Sequence, residues 1–286
     1  MKLNVHRLLR IILFCSHLES VCVTPFTQRN TCMHRKEKSE KKCMENYEML
    51  LSINETMRKN IEKITSSGKM ETINKCISFT DDLDLWISYC NILKNWPLVK
   101  EAQDECLKSI IMCTQGFYKE AIIALRQCLE HMLFAILLST NDYKYRLWQR
   151  GQCDMSWTQI VDDQNGIFGK QFISTYANDI DTGRSLELLT IAKNVYRECS
   201  EFVHGNYEKL NTLTKHMNFS EEAVEKYADY FFSVQYIISW SLLIRFRDVL
   251  NEPPILIALE SVLMENLGTQ PEIQALYGKD LEELHE

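Results

Sequence analysis

Glycine and proline are scarce in this sequence. Only 9 glycines and 5 prolines occur among its 286 residues, and a chain with few turn-forming residues has few connections between its elements. This scarcity favours a small number of long helices over many short strands. The length suits one large domain or two modest ones, each with a buried core.

Other features are absent too. No run approaches the 18 or so apolar residues of a membrane span, so no membrane partner is expected. The apolar stretch IILFC, residues 11–15, is shorter than the roughly 7–15 residues of a signal core, and the N-terminus is interpreted as an amphipathic helix. A formal charge of −7 argues against non-specific binding to nucleic-acid backbones. The GxGxxG, Walker, HExxH and GxSxG motifs do not occur.

The cysteines do not form a disulfide pattern. They are 11 in number, scattered and without a CxxC pair, and several fall within apolar helical patterns. Reduced, mostly buried thiols in a cytoplasmic protein are therefore expected. The cysteines and histidines near the N-terminus fit no common zinc spacing, so neither a metal nor a cofactor is expected.

Apolar residues recur at helical intervals along most of the chain, which predicts an all-α fold. Three regions are predicted. Residues 1–95 form an N-terminal helical region with a charged connector, residues 96–250 a helical domain, and residues 251–286 a short helix with an acidic tail.

The patterns also predict individual helices. Helices are expected at 44–64 and 82–94, and the charged segment 26–46 is either a solvated connector or the exposed start of a helix. The last long helix is expected to begin with Asn218 as its N-cap and to end before Pro253.

The most apolar helix is predicted at 118–140. Arg126 and Glu130 lie within it, four residues apart on one flank. Charges beside so much apolar surface must satisfy each other or face a site, because unpaired buried charges are costly. The apolar stripe consists of Ala121, Leu125, Cys128, Met132 and Ile136, widened by Ile122, Leu129 and Leu133.

A further helix is predicted from about residue 182 to His204, with Gly205 as a natural C′ residue. Arg197 and His204 are seven residues apart, which on a helix is about 20° less than two full turns. The two side chains therefore share a face, about 10 Å apart along the axis. Asn194 lies on the same flank. The opposite flank carries an apolar stripe of Leu186, Leu189, Ala192, Tyr196, Cys199 and Val203.

An imidazole near a guanidinium suits phosphodiester chemistry. His204 can transfer a proton to or from a ribose 2′-hydroxyl or a leaving oxygen, and Arg197 can hold the phosphate and stabilise developing charge. Helical side chains lean toward the N-terminus, so Arg197 leans away from His204 within one chain. Two copies about a two-fold axis bring each arginine near the other copy's histidine, which predicts a homodimer.

The segment RECSEFVH (197–204), together with GFYKEAIIALRQCLE (116–130), resembles the HEPN superfamily over roughly residues 100–250. The family motif is an arginine followed after a few residues by a histidine, late in a helix of an all-α domain. The resemblance implies a HEPN-like helical bundle with an N-terminal helical extension. It also implies a homodimer with the two motifs at the interface.

The same resemblance implies a function. Many members are metal-independent endoribonucleases of defence or toxin-type systems, which predicts RNA as substrate, 2′,3′-cyclic phosphate ends, and an antitoxin or effector protein as a partner. Arg197 and His204 would be the catalytic pair, and Arg126, Glu130 and Asn194 would contribute to substrate binding.

Two other functions stay open. One is a catalytically inactive interaction or scaffold module that dimerises through its aromatic C-terminal helix. The other is a sensor of a nucleotide or small anion that uses Arg126 and Arg197 without turnover. In the purely structural alternative, Arg197 pairs with Glu201 and His204 caps its helix. Glu198 also departs from the family pattern, which often has an uncharged polar residue after the arginine.

Overall fold

The computed structural model describes residues 27–93, 96–204 and 217–278, with side chains of the first helix from residue 39 onward. The predicted all-α class is confirmed, since 81% of the described residues are helical and none of them lies in a strand. The predicted N-terminal amphipathic helix and Gly205 lie outside the described residues.

Eleven α-helices and one 3-10 helix make up the described parts of the chain. In chain order they are α1 (Thr27–Ser66), α2 (Met70–Tyr89), α3 (Pro97–Gln115), α4 (Tyr118–Leu138), α5 (Asp142–Gln149), α6 (Trp157–Ile160), α7 (Lys170–Tyr176), α8 (Thr182–Val203), α9 (Glu221–Arg245), the 3-10 helix (Arg247–Asn251), α10 (Pro253–Leu267) and α11 (Pro271–Gly278).

Three helices begin at other residues than predicted. α1 already includes Thr27, so the charged segment is the start of a helix, as its helix-forming Lys and Glu residues allow, and its side chains from residue 39 onward are exposed. α2 begins at Met70 rather than near residue 82, because its first turns bury apolar side chains of their own. The N-cap of α9 is Ser220, not Asn218, since the Ser220 hydroxyl accepts a hydrogen bond from the backbone N–H of Ala223 at 3.2 Å.

The chain divides into two compact units, Met1–Asn54 and Glu55–Glu286. In the first unit, every side chain from residue 39 to residue 52 is exposed. In the second unit, α2 packs against α3 and α9. The helices on either side of the predicted boundary at residue 95 therefore pack together within one unit.

Helix α4 lies at the centre of the second unit, in contact with α3, α8 and α9. Its predicted apolar stripe is confirmed, because all eight of those side chains are buried. Among the described helices, α4 alone has the length and apolar composition of a membrane span, and 67% of its most apolar window is buried inside the fold. Packing on most sides accounts for this composition.

A buried asparagine joins three parts of the second unit. The Asn60 amide of α1 donates to the carbonyl oxygens of Gln115 (2.9 Å) and Met217 (3.0 Å), and its oxygen accepts from the N–H of Phe219 at 3.1 Å. Gly116 ends α3 with a φ of 90°, and a Cβ there would stand 2.8 Å from the Asn60 amide nitrogen. This turn needs glycine for both its conformation and its space.

The described cysteines are free, and six of the eight are buried, as expected. Burial raises the pKa of the Cys76 and Cys90 thiols to about 12, so both stay protonated and unreactive at neutral pH. The six are Cys76, Cys90, Cys106, Cys113, Cys128 and Cys199.

Candidate functional site

Helix α8 carries the predicted catalytic pair. It begins after Asp181, whose carboxylate accepts a hydrogen bond from the backbone N–H of Arg184 at 2.9 Å. One face packs against α4 and α9, and this contact fixes which side of the helix is turned outward. The buried side chains are Ser185, Leu188, Leu189, Ala192, Val195, Cys199 and Phe202.

The apolar stripe predicted for α8 is partly wrong. Leu186 and Val203 are exposed, whereas Leu188 and Phe202 are buried. Apolar residues occupy two adjacent rows of this helix, and periodicity alone does not choose between them. The packing against α4 and α9 makes the choice.

The predicted site residues of α8 remain on its outward side. Arg197, His204 and Asn194 are all exposed, and the Arg197 side chain is 68% accessible. Arg197 is about 200° around the helix from the buried Val195, because each residue advances about 100°. His204 is the C-cap of α8, and its backbone N–H donates to the Ser200 carbonyl at 3.1 Å.

Arg126 and Glu130 satisfy each other on the flank of α4. The guanidinium lies 3.1 Å from the Glu130 carboxylate, and the two side chains are only 16% and 21% exposed. Arg126 also donates to the Tyr196 hydroxyl at 2.7 Å, and its guanidinium carbon is 4.7 Å from the centre of that ring. Its Nε atom is buried without a hydrogen-bond partner among the described residues.

Tyr196 links this ion pair to α8. Its ring stacks on Trp157 of α6 with a centroid separation of 3.8 Å and an interplanar angle of 9°. Arg126 and Glu130 are thereby connected to the residue that directly precedes Arg197. Arg197 lies about 100° around α8 from Tyr196. Arg126 and Arg197 therefore lie on different sides of the contact between α4 and α8.

Glu198 lies close to the predicted phosphate-binding residue. Its carboxylate is 3.6 Å from the Arg197 guanidinium, and the Tyr230 hydroxyl of α9 donates to it at 3.5 Å. An ion pair with so exposed an arginine is weak and screened by water. The Arg197 guanidinium therefore keeps most of its donors available to an anion.

Sequence reasoning missed three aromatic residues around the site. Tyr196 belongs to the apolar stripe predicted for α8, and no sequence pattern singles out Tyr230 or Trp157. The position of Tyr196 directly before Arg197 is the one local signal for these aromatic contacts. No other signal exists because the rings that stack together are distant in sequence.

Matching against protein-family models, curated proteins and solved structures finds no similar protein. Among the described residues, no three histidine, cysteine, aspartate or glutamate side chains converge into a metal-binding group.

Proposed function

We propose that this protein is a metal-independent endoribonuclease of the HEPN type, acting as a cytoplasmic homodimer in a defence or toxin-type system. The proposal rests on one observation. Arg197 and His204 are exposed on one side of α8, opposite the face that packs in the core. Neither side chain is buried in the hydrophobic core.

The proposed reaction is an internal transesterification of RNA. The ribose 2′-oxygen attacks phosphorus, its proton passes to a base, the bond from phosphorus to the 5′-oxygen breaks, and that oxygen receives a proton. His204 supplies the acid or base step. Arg197 binds the phosphate and stabilises the charge that develops on its oxygens. The products are a 2′,3′-cyclic phosphate end and a 5′-hydroxyl end.

Arg126, Glu130 and Asn194 have supporting roles in this proposal. The Arg126–Glu130 pair holds Tyr196 and so fixes the turn of α8 that presents Arg197 to substrate. Asn194 is exposed one turn earlier on α8, where its amide can contact a neighbouring phosphate or base. An antitoxin or effector protein that covers this face would control the activity.

The test is RNA cleavage by the purified full-length protein in EDTA. We expect products with 2′,3′-cyclic phosphate ends, and a loss of at least about 100-fold in rate for His204→Ala, since general acid–base catalysis contributes about that much or more. Arg197→Ala should lose a comparable factor. Lys193→Ala is the matched control, because it removes an exposed cation one turn earlier on the same helix.

Equal cleavage by the wild type and His204→Ala would identify a contaminating nuclease and rule out the proposed role. Normal cleavage by Lys193→Ala is needed to show that the loss in Arg197→Ala is specific to its position. Circular dichroism of each variant would establish that the helical fold is retained.

A catalytically inactive interaction module is the second candidate, and one contact favours it. The Glu198 carboxylate stands 3.6 Å from Arg197, where its negative charge opposes the approach of a phosphate. This candidate predicts no RNA cleavage and a dimer that Arg197→Ala leaves unchanged. The anion-sensor alternative has less support, because Arg126 is already engaged by Glu130 and Tyr196.

A further inference from the structure

The first unit exposes a row of large apolar side chains on α1. Met44, Tyr47, Leu50 and Leu51 have accessible fractions of 60%, 57%, 56% and 49%. All side chains from residue 39 to residue 52 are exposed. Contiguous exposed apolar side chains mark an interaction surface rather than the ordinary scatter of single residues.

These residues follow a heptad repeat. Cys43, Tyr47, Leu50 and Asn54 are separated by alternating steps of four and three residues, which assigns Cys43 and Leu50 to d positions and Tyr47 and Asn54 to a positions. Met44 and Leu51 occupy the flanking e positions. We call these six residues the α1 seam.

The charges within residues 43–54 lie outside the seam. Glu45 and Glu48 fall at f and b positions; of the flanking charges, Lys41, Lys42 and Glu55 fall at b and c positions, and Glu40 falls at an a position. A helix with an apolar seam and a mixed-charge outer face is typical of a coiled-coil strand. Three glutamates on the outer face also oppose binding to an anionic membrane surface.

The exposed area fits pairing with one other helix. Four apolar side chains of the seam are 49–60% accessible, so pairing with a second helix removes a large apolar surface of each strand from water. The seam covers about two heptads, which suits a pair stabilised within a larger assembly better than an isolated peptide.

Asn54 identifies the partner. A single asparagine at an a position specifies a two-stranded, in-register pair, because its amide then meets the identical amide of the other strand. An apolar helix of different sequence would leave that amide without a matching group. The second strand that meets this requirement directly is a second copy of the same helix.

We infer that residues 43–54 of α1 form a parallel, in-register two-stranded coiled coil with the same segment of a second copy of this chain. The inferred interface involves none of the residues proposed for RNA cleavage, and the inference does not depend on that activity.

Sedimentation of the full-length protein tests the inference with two matched variants. Leu50→Glu places a charge in the seam, and Ser52→Glu adds the same charge at an exposed f position of the same helix. We expect the wild type and Ser52→Glu to be dimeric. Leu50→Glu should weaken dimerisation at least about 30-fold, the effect of losing an interface hot spot.

Cys43 reports the register directly. It is an exposed free thiol, and in the inferred pair it faces Cys43 of the other copy at a spacing that a disulfide can bridge. Copper phenanthroline in air, which accepts the two protons and two electrons released by the thiols, should link the chains covalently. Cys43→Ser should abolish most of this product.

Three results would overturn the inference. They are a monomeric wild type at 100-micromolar concentration, equal dimerisation of Leu50→Glu and wild type, and an undiminished cross-link in Cys43→Ser. A dimer that is lost in Arg197→Ala but kept in Leu50→Glu would place the interface on α8 and also overturn it. Thermal melts of both glutamate variants would exclude a general loss of folding.

Discussion

Two neighbouring aspartates of α2 have different surroundings. Asp81 is exposed, whereas Asp82 is half-buried and accepts a hydrogen bond from the Asn266 amide of α10 at 2.9 Å. Burial raises the pKa of the Asp82 carboxyl above its usual value, and the hydrogen bond only partly opposes this shift. The ionised carboxylate therefore lowers the stability of the fold at neutral pH.

The sign of this effect predicts a stabilising substitution. A carboxyl whose pKa is raised by folding favours the folded state more as the pH falls through that raised pKa. Asp82→Asn removes the charge and keeps an oxygen for Asn266, so we expect a higher melting temperature at pH 7. The advantage should shrink as the pH falls through the raised pKa, because Asp82 then becomes neutral.

Thermal melts between pH 7 and pH 4 measure this effect. Asp81→Asn makes the same chemical change at an exposed position and is the control; because the Asp81 charge also raises the pKa of Asp82, a smaller gain is expected there. A gain that is as large for Asp81→Asn, or that does not depend on pH, would show that burial of Asp82 is not its cause.

At the scale of the helix, Asn60 decides how α1, the end of α3 and the start of α9 are joined. Its side chain is buried, and its hydrogen bonds reach residues 55 and 157 positions away in sequence. Asn60→Asp replaces the donating amide with an oxygen that faces the two carbonyl groups. We expect a loss of about 3 kcal/mol in the free energy of unfolding, since a buried carboxylate then faces two carbonyl oxygens and keeps only the Phe219 N–H as a donor among the described residues.

Urea denaturation measures this loss, and Asn218→Asp is its control. That substitution makes the same change at an exposed residue near the start of α9, where we expect little effect. Equal midpoints for the two variants would show that the Asn60 hydrogen bonds contribute little to stability.

For the molecule as a whole, α4 should be the last element to lose its structure. It contacts five other helices of the second unit and buries most of its side chains, whereas α5 has no buried residue. We expect amide hydrogens of α4 to exchange only through global unfolding, and those of α5 at least about 100-fold faster. Exchange that is equally fast in both helices would mean that α4 does not form the stable centre of the fold.

The buried face of a helix was predicted correctly for α4 and only partly correctly for α8. α4 was predicted correctly because its apolar residues cover most of its circumference, so any neighbouring helix buries them. α8 presents two adjacent apolar rows, and the predicted row was partly wrong. Its outward face was nevertheless placed correctly, since Arg197 lies about 200° around the helix from Val195 and Cys199, which are buried.

The sequence by itself determined the all-α class, the central position of α4 and the exposure of Arg197 and His204. These properties follow from composition and from the helical period, which act over a few residues. Only the tertiary structure decided that Arg126 and Glu130 meet Tyr196, and that Asn60 joins three segments. Such contacts connect residues far apart in sequence, and no local pattern encodes which distant partner a side chain will meet.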